Sequence, residues 1–324
     1  MVPAMVGYQT GLAYNNVNRD HLNPLTGRWT QGTNLTGPVD PEVQVLTFSA
    51  RNGTPIAAYT SYAMHPVQSY LTGYTSADWP GAMAAWVEES LGGPDNDFIL
   101  IYCQQASGDV NPRQRRTGTN VLASIGNIPI NGLELVQEPI EEPIRDQIIP
   151  LVKGDPFYVR QLFQQLTALG IVVGEEVIRV ISSTADWDEN PAIWGKRANA
   201  TCPGRLHISN EREGVPGVYT NGPDINVVTG AIGLGDIAIA QVGAEIYTRI
   251  GWAIKDKSPM KKTMLITMAN AQGLSGYIPD TLSVGHETFQ ALGCKIVPGD
   301  CAETQISETV AGLISEYVNS TTYQ

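Results

Sequence analysis

Residues 43 to 49 (VQVLTFS) and 56 to 62 (IAAYTSY) are rich in β-branched and aromatic side chains, and Asn52-Gly53, a tight-hairpin dipeptide, separates them. Two adjacent antiparallel strands follow. The second runs straight into Met64-His65-Pro66, which puts His65 just past the C-terminal end of a strand. Beyond the loop 66 to 77, Asp78 is a candidate helix cap with Pro80 in the first turn. Met83, Trp86, Val87 and Leu91 then recur at helical spacing until Gly92-Gly93, a stripe that reads as core. The wholly apolar FILIYC (98 to 103) reads as a buried strand, and the polar SGDVNP (107 to 112) as the loop that follows it.

A long helical pattern covers 157 to 183, with Gly170 and Gly174 either bending it or allowing close packing. Residues 184 to 232 are rich in Asn, Gly, Pro and charge with little periodicity, and are expected to form a long loop or cap. The clearest unit comes next. LGDIAIAQVG (234 to 243) and KTMLITMAN (262 to 270) are apolar strands, and EIYTRIGWAIKD (245 to 256) between them carries Ile246, Ile250 and Ala253 on one helical face, so this is a βαβ crossover. Glu245 is expected in the first turn of that helix, where the helix dipole favours a carboxylate by about 0.3–1 kcal/mol. The fold class is therefore α/β: a mixed sheet flanked by helices, with long loops, forming one catalytic-size domain over residues 1 to 324. Open sheets of this kind hold ligands at the carboxyl ends of their strands, and His65, Asp109 and Glu245 all map there.

Composition narrows the range of functions. Of 324 residues 42% are hydrophobic, enough for a large core, and only 16% are charged. The net charge is −12 and no basic run exceeds the cluster at 113 to 116, which argues against a nucleic-acid partner. No stretch approaches about 18 consecutive apolar residues, so no transmembrane segment is expected, and contact with a membrane would be peripheral. Residues 1 to 16 lack the basic and apolar regions of a signal peptide and read as a mature or truncated start. Cys294 and Cys301 enclose a Pro-Gly turn and are expected to form a disulfide; Cys103 is expected to be buried, and the pairing of Cys202 is not legible. Asn34, Asn52, Asn199 and Asn319 head glycosylation sequons, in keeping with a secreted or extracellular protein.

The zincin, nucleophile-elbow, dinucleotide and phosphate-loop motifs do not occur, so any chemistry rests on dispersed residues. There are four histidines, His21, His65, His207 and His286. By itself, His65 reads as a hydrogen-bonded structural residue rather than as a ligand. Arg19 is readable as a structural arginine or an oxyanion partner. Asp109 is readable as a turn-former or as a partner that orients a ligand.

A run of segments in matching order resembles the neutral/alkaline non-lysosomal ceramidase family. Asn16-Val17-Asn18-Arg19 is similar to its NxNR segment, Met64-His65 to the segment of its second zinc histidine, and Ser107-Gly108-Asp109-Val110-Asn111-Pro112 to its GDVSP loop. Gly235 to Ile239, leading to Gly243-Ala244-Glu245, resembles the strand that delivers its zinc glutamate, and Leu274-Ser275-Gly276-Tyr277 the segment of its zinc tyrosine. The resemblance implies a zinc-dependent hydrolase of an N-acyl amide or ester on a small-molecule or lipid-like substrate, with a metal-bound water as nucleophile. Carried over residue by residue, it implies that His65, Glu245 and Tyr277 hold Zn2+, with Arg19, Asp109 and Asn111 in the catalytic surroundings.

Two departures stand out. Asn111 occupies the position of the family's catalytic serine, so either its amide substitutes for the hydroxyl or the substrate and reaction differ. The family's upstream HxHS/T segment has no match, so a companion segment or chain is expected to supply the remaining zinc histidine; the family's C-terminal immunoglobulin-like domain has no match either. These departures motivate an alternative of another class, a non-catalytic binding or scaffold protein on a ceramidase-like fold.

Overall fold

The computed structural model describes residues 2–69, 74–93, 97–113, 156–208, 217–270 and 276–322. Its first sheet has the order β6-β5-β4-β1-β8, from β1 (Ala4–Leu12), β4 (Glu42–Ala50), β5 (Pro55–Tyr62), β6 (Ile99–Gln104) and β8 (Trp187–Asp188). The expected hairpin is β4 and β5, paired antiparallel; the segment expected to be a buried strand is β6, parallel to β5, but it lies at the sheet edge with Ile99 and Ile101 exposed. Helix α1 (Asp78–Leu91) joins β5 to β6. The second sheet, β13-β11-β10-β9, comprises β9 (Ile193–His207), β10 (Tyr219–Leu234), β11 (Ile237–Val242) and β13 (Lys262–Thr267). Here β11 and β13 are parallel, with the intervening helix α3 (Thr248–Lys257), as the crossover pattern requires.

Three apolar clusters order these parts into four layers. Val43, Val45, Ala58 and Leu100 of the first sheet pack on Trp79, Met83 and Val87 of α1 and on Val173, Val177 and Val180 of α2 (Pro156–Ser183). The other face of that sheet meets the second sheet through Val6, Tyr8 and Leu46 against Ile237 and Met264. On the far side, α3 and the terminal helix α4 (Cys301–Thr322) cover the second sheet through Ile250, Ile254, Ile306 and Val310. Helices therefore flank a pair of stacked mixed sheets, confirming the α/β class and dividing the expected single sheet in two.

Gly170 and Gly174 serve close packing. A methyl at Gly170 would lie 2.7 Å from Trp79 O and Met83 N, so α1 and α2 touch nearly backbone to backbone.

Several expectations are corrected. Residues 184 to 232 are not a long loop, since most of them form β8 and the β9–β10 hairpin. The edge strand β9 leaves most of its side chains exposed, which dilutes the apolar alternation that marks a strand. Cys301 pairs with Cys202, at a Cα–Cα distance of 5.9 Å, and Cys294 is free. The segment after Cys294 lies along β9, with Arg205 N donating to Lys295 O and Val297 N to Pro203 O, and this carries Cys301 to Cys202. Asp78 does not cap α1. It sits at the first helical position with φ 54°, and its carboxylate accepts from Ser69 N and Oγ, tying down the preceding loop. Among the described residues no helix is long and apolar enough to cross a membrane. Leu274, Ser275, Arg115 and Arg116 lie outside the described residues.

Non-reducing peptide mapping should recover a Cys202–Cys301 pair with Cys294 alkylated; a Cys294–Cys301 peptide would contradict the fold near β9. Gly170→Ala should lower the urea midpoint. The gain of about 1 kcal/mol from replacing a helical glycine is outweighed by overpacking against main-chain atoms, about 1–3 kcal/mol. An unchanged midpoint would mean that α1 gives way freely.

Candidate functional site

The carboxyl ends of the parallel strands from both sheets meet. Thr267, the last residue of β13, donates through Oγ1 to Gln104 O and Gln105 O at the end of β6 (3.2 and 3.0 Å). His65 lies three residues past β5 and Glu245 three past β11, so both project from this common edge.

Glu245 is not in a helical turn. It belongs to β12 (Glu245–Ile246), which pairs in parallel with β14 (Tyr277–Ile278), and Glu245 stands opposite Tyr277 in that register. Gly276, at φ +60°, turns the chain into β14, and its carbonyl accepts from Glu245 N at 3.0 Å. Helix α3 begins only at Thr248, and the dipole role expected of Glu245 falls to Asp109. Asp109 Oδ1 accepts from Thr248 N and Oγ1, both at 2.8 Å, and Oδ2 from Asn18 Nδ2 at 2.9 Å.

Three side chains converge. His65 Nε2 lies 3.0 Å from Glu245 Oε2 and 3.2 Å from Tyr277 OH. His65 Nδ1 lies 2.9 Å from Val110 O, an atom that can only accept, so Nδ1 carries the proton. Burial, then the neighbouring Arg19, hold the imidazole below its ordinary pKa, against the opposing effect of Glu245. The ring is therefore neutral near pH 7, and Nε2 presents a lone pair to a carboxylate. Burial works to raise the Glu245 carboxyl, but the His65 contact, with Tyr277 and Arg19, outweighs it and holds the group below its ordinary range. Of these three side chains only Tyr277 has a proton left to donate within the cluster. Burial raises that phenol above its ordinary value, with Arg19 acting the other way.

Arg19 lines the same place. β2 (Asn16–Asn23) forms a three-stranded sheet with β3 (Arg28–Asn34) and β7 (Val110–Pro112). From β2, Arg19 is 2% exposed and donates from Nε and Nη2 to Gly108 O at 3.1 and 2.6 Å. Its guanidinium stands 5.0 Å from the Tyr277 ring centre and 5.3 Å from that of Phe289. Asn111 is buried in β7 beside Val110, and its Oδ1 has no hydrogen-bond partner. No hydrogen bond joins Asn111 to the donor cluster among the described residues. The structure thus brings His65, Glu245, Tyr277 and Arg19 together, while Asp109 supports them from behind.

The donor set suits a divalent ion. Imidazole nitrogen, carboxylate and phenol oxygen are all acceptable zinc donors, and a carbonyl on the distal imidazole nitrogen is the usual orienting partner of a ligand histidine. Among the described residues no group of three or more His, Cys, Asp or Glu forms a metal cluster, so the phenol is needed to complete a set of three. Sequence reasoning missed Thr248 and Asp20, whose roles depend on strands and turns far apart in the chain. Asp20's adjacency to Arg19 was its only visible signal.

Comparison with solved structures bears on the fold. A ceramidase complexed with C2 superposes with TM-score 0.65 at 13% identity, covering 98% of this chain and 54% of that one. The neutral ceramidase from Pseudomonas aeruginosa gives 0.64 at 11%, covering 97% and 53%. The fold is ceramidase-like, and the chain spans about half the length of these structures. No family model and no curated protein matches the sequence.

Burial, followed by the charge of Asp20, raises the Asp109 carboxyl to about 7 despite its donors. The unfolded chain loses this proton near its ordinary value of about 3.9. Stability from this group is therefore complete below about 4 and is lost as pH rises toward about 7. Urea midpoints should fall across that window and Asp109→Asn should flatten the slope; a midpoint that rises instead would contradict the assignment.

Proposed function

We propose that this chain is a metal-dependent hydrolase of a linear N-acyl amide or ester, with His65, Glu245 and Tyr277 holding Zn2+. The observation that carries the reading is the proton count at Nε2. A neutral, Nδ1-protonated imidazole faces an anionic carboxylate oxygen at 3.0 Å, and a cation between these atoms turns that conflict into coordination. The ceramidase-like fold supports the amide class of substrate.

Bound zinc would supply Lewis acidity and a coordinated water whose pKa lies near neutrality. The residues of this chain do the rest. Val110 O fixes the His65 ring, and the β12–β14 register fixes Glu245 beside Tyr277. A guanidinium has five N–H donors; Gly108 O takes those on Nε and one on Nη2. The others serve Tyr277 and the substrate oxygen on which negative charge develops. Burial of Arg19 strengthens that interaction by excluding water.

A second reading, ligand binding without turnover, is favoured by Asn111, an amide where the resemblance places a serine. Metal analysis and turnover separate the two. The purified chain should carry stoichiometric zinc and hydrolyse an N-octanoyl alkylamide, with zinc and activity both lost on chelation and in His65→Ala. Amide turnover that survives chelation and His65→Ala in a zinc-free protein would sink the metal reading. Amide binding without turnover in zinc-loaded protein would favour the second.

A further inference from the structure

A second titratable pair lies next to Arg19. Asp20 is 2% exposed, and its carboxylate lies 3.2 Å from His286 Nδ1 and 2.8 Å from Gln290 Nε2. A carboxylate accepts, so Nδ1 carries a proton here too, and Nε2 is the nitrogen directed away from Asp20. Trp29 stacks on the imidazole at 3.7 Å between ring centres and 14° between planes, fixing the ring's orientation. The side chain still reaches solvent, with 22% of it exposed. No hydrogen bond engages Nε2 among the described residues.

This pair shares its supports with the donor cluster. Asp20 follows Arg19 on β2. Phe289, three residues past His286, stands edge-on to the Tyr277 ring at 5.7 Å and lies 5.3 Å from the Arg19 guanidinium. A buried carboxylate, an imidazole oriented through Nδ1 and an Nε2 with no hydrogen bond among the described residues form the arrangement that serves general acid–base catalysis.

We propose that His286 is the proton donor to the departing nitrogen, an inference that rests on the amide hydrolysis proposed above. When the C–N bond breaks, its electron pair stays on nitrogen, and an alkylamine cannot leave as an anion. The proton passes from Nε2–H of the His286 imidazolium to that nitrogen, giving the neutral amine. The attacking water has released a proton, and the neutral imidazole takes one back. Asp20 offsets the imidazolium charge through Nδ1–H.

The test compares two acyl donors of one acid, an N-octanoyl alkylamide and the octanoyl p-nitrophenyl ester, whose leaving group departs as an anion unaided. In zinc-loaded protein, His286→Gln and Asp20→Asn should lower amide kcat/KM by about 10²- to 10⁴-fold while ester turnover holds. The amide-to-ester ratio does not depend on the folded fraction, so variants that lower both rates equally assign these residues a structural role and overturn the proposal. Independently of turnover, histidine nitrogen shifts should place a proton on His286 Nδ1; a neutral ring protonated only on Nε2 would also overturn it. Wild-type protein that hydrolyses neither donor removes the hydrolase reading and this inference together. Wild-type turnover with an unchanged ratio in the variants removes this inference alone.

Discussion

The site depends on the backbone of one short loop, Ser107 to Val110. Gly108 O holds the Arg19 guanidinium, Asp109 O accepts from Arg19 N, and Val110 O holds the His65 ring. Gly108 N donates to Ile246 O, next to Glu245, which ties the same loop to β12. Main-chain carbonyls neither titrate nor change rotamer, so they fix the Arg19 and His65 side chains more rigidly than side-chain partners would. The loop passes so close to β12 and the N-cap of α3 that a Cβ at Gly108 would lie 2.7 Å from Tyr247 Cδ1 and 2.8 Å from Glu245 O. Glycine is required there by space.

The loop is itself held by the carboxyl group of Asp109. Asp109 satisfies the first N–H of α3, although it comes from a distant part of the chain, and Tyr247 at the N-cap makes no side-chain cap. Placing a carboxylate there, close to buried Asp20, is unfavourable in a low-dielectric interior and drives Asp109 toward neutral titration. Strain of this kind gathers at functional sites, where geometry matters more than maximal stability.

The two sheets must also stay in register for His65 and Glu245 to meet. Buried Gln44 performs this at the seam. Its Nε2 donates to Thr263 O at 2.9 Å, and its Oε1 accepts from Leu265 N at 2.8 Å and Ser61 Oγ at 3.0 Å. Close by, Lys255 of α3 bridges Asp40 Oδ2 and Glu42 Oε2 at 2.6 and 2.8 Å, with its side chain mostly buried. A one-residue slip at this seam would carry one half of the donor set away from the other.

Local pattern alone determined much of this protein. The Asn52-Gly53 hairpin, the α1 stripe, the FILIYC strand and the crossover around α3 were legible because each depends on side-chain periodicity within about ten residues. Order along the chain also placed His65, Asp109 and Glu245 at strand ends. Only the tertiary structure decided the rest: that strands divide into two stacked sheets, that β9 and β10 cross the supposed loop, that Cys301 meets Cys202, and that Asp109 caps a helix while Asp20 holds His286. Each of these is a pairing between segments far apart in sequence, set by register, burial and hydrogen-bond satisfaction, and none of those quantities has a local periodicity to read.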